Sequence, residues 1–243
     1  MMISVSTRFI GLIFIASILS HSCTRPTLAQ SSHALAMLNT QAHELYNQGR
    51  YIEATTIAQE ALSLSEKELG PEHFATLRAI NALGYLYKAQ GRYSEAEPLY
   101  QRALAGFEKR LGPDHTETLR RVNNLGMLYL AQGRFGQAEP LLQRALAGYE
   151  KKLELDHIDT LLSVNNLGDL YLAQGRYREA EPLLQRALAG FEKKLGPDDR
   201  YTLTAVNNLG QLYVRQRCCS VSQTRKFRRG AKMVEAGSRS GTS

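Results

Sequence analysis

The chain has 243 residues, of which 43% are hydrophobic and 22% charged, enough to bury a substantial core and to exclude an intrinsically disordered chain. Its formal net charge of +7 sits at the two ends: residues 1–29 carry +2 and residues 215–243 carry +7, which leaves −2 on residues 30–214. A basic surface for nucleic acid is therefore not a property of the central region.

Arg8 precedes an apolar run from Phe9 to Leu19, and a polar stretch then leads to Ala29. This is the layout of a secretory signal peptide, and it predicts export to a periplasmic or extracellular space with cleavage near Ala29. Membrane anchoring by residues 9–19 is the alternative, but eleven apolar residues are short of the ~20 that span a bilayer. After cleavage only the adjacent Cys218 and Cys219 remain, so neither a disulfide framework nor a zinc cluster is available.

From residue 30 to 216 the chain repeats itself. Gly-Arg followed by an aromatic residue occurs at Gly49, Gly91, Gly133 and Gly175, always 42 residues apart, and 29 of the 42 positions in 91–132 recur in 133–174. A fixed period in this range predicts a solenoid. Each unit holds two helical patterns. In the first, Val122, Leu125, Leu128 and Tyr129 share a face; in the second, Ala138, Leu141, Leu142, Ala145, Leu146 and Tyr149 do. Gly133 between them reads as a helix C-cap, and Pro98, Pro140 and Pro182 as residues near the start of the second helix, where a missing N–H costs least. Gly126, Ala138 and Ala145 leave room for two backbones to approach. His115 is expected to help close or cap its linker.

The order Val122, Leu125, Gly126, Tyr129, Ala138, Ala145 resembles the tetratricopeptide repeat, and the 42-residue form is similar to the repeats of kinesin light chains. HEAT and armadillo repeats lack this Gly-Tyr-Ala-Ala order. The resemblance implies an all-α fold: an α-solenoid, a right-handed superhelix of stacked antiparallel helix pairs, here four pairs and an unpaired fifth first helix. It also implies a non-enzymatic scaffold that binds a protein or peptide in a groove lined by the first helices.

Fixed groove positions of the resembling family fall here on several rows of residues. One row is asparagine in every copy, with Asn39, Asn81, Asn123, Asn165 and Asn207; an amide can both donate to and accept from a peptide backbone, and the alternative is that these amides bond within their own helices or to neighbouring turns. Asn124, Asn166 and Asn208, one position on, are read as structural and pointing elsewhere. The variable rows supply Arg78, Arg120, Tyr85, Lys88, Met127, Leu130, Asp169 and Leu172. Basic residues come first and apolar ones follow, which suggests a ligand with acidic groups beside an apolar anchor. The competing reading buries the Leu and Met residues and pairs Arg78 and Arg120 with surface carboxylates.

GxGxxG, P-loop, HExxH and GxSxG motifs are all missing from the sequence, and His73, His115 and His157 lie in separate linkers, at least a helix spacing of ~8–10 Å apart. No catalytic residue, metal or cofactor is expected. After Gln216 the pattern stops, and residues 217–243 read as a basic, disordered tail without a helical stripe. The last first helix is expected to expose Val206, Leu209, Leu212 and Tyr213, which opens self-association as a second function. A basic tail acting on nucleic acid or a membrane surface is a third, disfavoured for nucleic acid because Phe227 is its only aromatic residue.

Overall fold

The computed structural model describes the backbone of residues 28–217 and the side chains from residue 33 onward. The predicted signal segment up to residue 27 and the tail from residue 218 lie outside the described residues. Among the described residues the chain is helical, without strands: α1 (Leu28–Asn47), α2 (Tyr51–Leu69), α3 (Phe74–Ala89), α4 (Tyr93–Leu111), α5 (Thr116–Ala131), α6 (Phe135–Lys152), α7 (Ile158–Ala173), α8 (Tyr177–Leu195) and α9 (200–217). The all-α solenoid expected from the 42-residue period is what forms. None of the described helices is long and apolar enough to cross a membrane.

The chain divides into two compact units, 1–71 and 72–243. In the first, α1 and α2 form one antiparallel pair that buries Leu35, Ala42 and Leu45 together with Ala54, Ala58 and Ala61. In the second, α4, α6 and α8 form one layer, and α4 and α6 each pack against the first helices on both sides. The helices α3, α5, α7 and α9 form the other layer, in which α5 and α7 touch directly.

The sequence period maps onto this packing. Leu128, Leu170 and Leu212 occupy one register and are all fully buried; Ala138, Ala145, Ala180 and Ala187 are fully buried where helices approach each other. A larger side chain at Ala145 has nowhere to go. The turn within each pair is a Schellman motif. Gly133 takes φ +71°, its N–H donates to Leu130 O at 2.9 Å, and the Arg134 N–H donates to Tyr129 O at 2.8 Å. Only glycine adopts that φ cheaply, which explains its recurrence.

Three details differ from the sequence expectations. Pro98, Pro140 and Pro182 stand six residues inside their helices rather than in the first turn, because each helix begins immediately after the Arg of Gly-Arg. Pro98 and Pro140 face solvent, where the carbonyl left without its i+4 donor can bond water. Leu212 is fully buried and Leu209 half-buried, because this flank of α9 faces α8; Gln185 of α8 donates to the Tyr213 hydroxyl at 3.1 Å. Val206 and Tyr213 are exposed as expected. Finally, α1 begins at Leu28, just before the predicted cleavage point.

A polar clamp links successive repeats. Arg134 lies 4.3 Å over the Tyr129 ring and donates to Glu97 of the preceding repeat at 2.6 Å; Gln132 and the Tyr129 hydroxyl reach the same carboxylate at 3.3 and 3.2 Å. One repeat later Arg176 covers Tyr171 at 3.9 Å and donates to Glu139 at 2.7 Å. The hydrogen bond from Arg176 holds the Glu139 carboxyl below the usual range against the opposing effect of burial. A second strap, Arg144 to Glu108 at 2.8 Å and Arg186 to Glu150 at 2.6 Å, is about one-third exposed at each end. Such exposed pairs contribute ~0–1 kcal/mol each, so their effect is on repeat register more than on stability. The linker histidines cap the first helices: the Nδ1 atoms of His73, His115 and His157 accept from the N–H two residues on at 3.1–3.2 Å.

Candidate functional site

The period of 42 places Asn81, Asn123, Asn165 and Asn207 at one register on α3, α5, α7 and α9. Their neighbours do not point elsewhere. Asn124 Nδ2 donates to Asn81 Oδ1 at 3.1 Å, Asn166 to Asn123 at 3.2 Å and Asn208 to Asn165 at 3.4 Å. The second Asn of each repeat is structural, as expected, but its structural work is to fix the amide of the first. The ladder oxygens are thereby committed to the next repeat, while the Nδ2 groups of Asn81 and Asn123 have no hydrogen-bond partner among the described residues. This face therefore presents donors rather than an ambivalent amide.

Accessibility sorts the remaining candidates. Asn81 and Asn123 are half-buried, Asn165 is 6% exposed and Asn207 is exposed. Leu172, at 2% exposure, is a core residue and offers no ligand contact; Met127 and Leu130 are half-buried, and Tyr85 is exposed. Arg120 is already engaged, with Glu117 at 3.4 Å and Asp159 at 3.6 Å. Arg78 is exposed and makes no ion pair among the described residues.

Lys88 near the end of α3 and Asp169 on α7 are both half-buried, and neither has an ion pair or side-chain hydrogen bond among the described residues. Burial lowers the Lys88 pKa, with Asp169 opposing that shift; burial raises the Asp169 pKa, with Lys88 and Arg215 opposing it. The two side chains feel each other without touching. From Arg78 to Leu130 the accessible face is thus cationic and donor-rich with apolar patches, and Asp169 adds a single acid. No group of three or more His, Cys, Asp or Glu suited to a metal ion occurs among the described residues.

The sequence reading missed the clamp at Glu97 and Glu139 and the Asn–Asn pairs. The recurrent Ala-Glu-Pro and Asn-Asn motifs were the available signals, but their partners lie 35 to 43 residues away.

A family model described as tetratricopeptide repeat matches residues 33–109, 88–151 and 157–218. Among solved structures, the nearly identical TPR-like repeats of a kinesin light chain from Podosopora anserina align at 25% identity and a TM-score of 0.61, covering 86% of this chain and 97% of that one. A point variant of the same repeats aligns at 25% identity and 0.62, covering 85% and 97%. BtubC (BKLC) from P. vanneervenii shares the fold at 24% identity and 0.60, over 78% of this chain and 75% of that one. No curated protein sequence matches the chain.

Proposed function

Because the chain belongs to the tetratricopeptide repeat family, whose fold serves protein–protein interaction, we propose that it is a non-enzymatic scaffold that holds an extended protein segment along α3, α5 and α7. The observation that carries this reading is the pair of oriented amides at Asn81 and Asn123, whose oxygens are engaged and whose N–H groups face no acceptor among the described residues. Preformed helices lose little ordering entropy when a segment binds. Arg78, Lys88 and the free N–H groups favour acceptors, so the segment carries carbonyl or acidic groups beside an apolar side chain that meets Met127, Leu130 and Tyr85. Export directed by residues 1–29 completes the proposal and places the partner outside the cytoplasm.

The test is affinity capture from native extract with the wild-type chain and an Asn81→Asp/Asn123→Asp variant. The carboxylate oxygens still accept from Asn124 and Asn166, so the fold, checked by circular dichroism, is retained while both groove donors are lost. A partner held by the wild type and lost by the variant is expected. Capture of the same partners by both overturns the reading.

A second reading, self-association through α9, is favoured by Gly210. A side chain there would meet nothing within 4 Å among the described residues, whereas the equivalent Gly126 and Gly168 face Leu142 and Leu184 of the following helix. Sedimentation velocity across a hundredfold concentration range tests it: a size that grows with concentration and stays constant in Gly210→Leu supports this reading, and a constant wild-type monomer removes it.

A further inference from the structure

We infer that Asp169 is a specificity-determining residue of the first-helix face, where it pairs with a lysine or arginine of the bound segment. The inference rests on the groove reading above and adds to it the one site on that face that selects a cation.

The argument starts from how this protein treats half-buried carboxylates. In residues 72–217 there are ten, and nine of them meet a donor or cation within hydrogen-bond or ion-pair distance. Asp169 is the tenth, with no such partner among the described residues. Withdrawing a carboxylate from water without a partner is costly, and the fold pays that cost elsewhere only with a matching arginine, lysine or N–H. Lys88 and Arg215 exert a long-range attraction on Asp169, but neither comes within 4 Å.

The surroundings suit a basic side chain. Met127 holds the same register on α5 and Leu130 lies one turn further along that helix, both half-buried. The aliphatic stem of a lysine or arginine can lie along such residues while its head group reaches a carboxylate. The other copies carry His43, Tyr85, Met127 and Gln211 at this register, so the acid is specific to one repeat. An acid required only for repeat packing would have a partner in the protein; one kept for a ligand has its partner in the ligand. Burial that raises the Asp169 pKa also means that the charged form weakens the fold, as expected for a group retained for binding.

The experiment uses a positional-scanning library of fluorescein-labelled octapeptides, read by fluorescence anisotropy against the full wild-type chain, Asp169→Asn and Asp169→Lys. The wild type is expected to prefer Lys or Arg at one position by at least tenfold. Asp169→Asn should lose that preference, keep the remaining selectivity and melt at a higher temperature; Asp169→Lys should prefer Asp or Glu at the same position. Wild-type binding without a basic preference, a preference that survives in Asp169→Asn, or a lower melting temperature for Asp169→Asn overturns the inference. If library binding falls in Asn81→Asp/Asn123→Asp but ignores changes at Asp169, the groove stands and this assignment fails. If no library peptide binds the wild type, both fail.

Discussion

Four glycines at one register, Gly84, Gly126, Gly168 and Gly210, offer a graded test of how the helices pack. A Cβ at Gly84 would lie 3.4 Å from Leu99 and Tyr100; at Gly126 it would lie 2.9 Å from Cγ and Cδ2 of Leu142; at Gly168, 2.7 Å from Cδ2 and 2.9 Å from Cγ of Leu184; at Gly210 it would meet nothing within 4 Å among the described residues. Replacing a helical glycine with alanine gains ~1 kcal/mol of intrinsic propensity. Against this, Leu142 and Leu184 are fully buried, and forcing an extra methyl against such side chains costs about 1–3 kcal/mol. Gly210→Ala should therefore stabilise by about 1 kcal/mol, Gly84→Ala should be near neutral, and Gly126→Ala and Gly168→Ala should range from neutral to ~2 kcal/mol destabilising. At ~2–4 °C per kcal/mol for a chain of this size, calorimetry resolves the ends of the series. Equal stabilisation by all four substitutions would refute the packing account, because propensity alone would then decide the outcome.

Leu142→Ala removes a fully buried side chain between α5 and α6 and should cost about 2–5 kcal/mol, measured by urea unfolding. Glu139 has a depressed pKa in the fold, so its contribution is present above the unfolded value of ~4.3 and is lost as pH falls through the lower folded value. Glu139→Gln should accordingly lower the melting temperature at pH 7 and flatten its decline in acid; an unchanged acid limb would show that the Arg176 contact is inconsequential. Sequencing the mature N-terminus from the native host should begin at Gln30, and an intact Met1 would reject export by cleavage.

How far the sequence reads depends on the distance over which an interaction is encoded. Within one helix, spacing predicts which side chains share a face, and so the burial of Val122, Leu125 and Tyr129 and the cap at Gly133 were legible. Between repeats, contacts depend on how far one helix pair is rotated and shifted on the next, which no local period records. That is why the Asn124–Asn81 pair and the Arg134–Glu97 clamp emerge only in three dimensions. It is also why Leu172, matched by register to the half-buried Leu130, is a core residue instead of a groove contact. Pro98, Pro140 and Pro182 show a smaller limit: the helix start is set by the Arg after the turn, not by the proline.

The most direct test of the account is to follow the side-chain amide resonances of the full, ¹⁵N-labelled chain while titrating in the library's tightest octapeptide. The account predicts that the Asn81 and Asn123 Nδ2 signals shift and saturate together with the anisotropy curve, while those of Asn124 and Asn166, facing the neighbouring repeat, move far less. Saturation of binding with the Asn81 and Asn123 signals unmoved would contradict it and place the ligand away from the first-helix face.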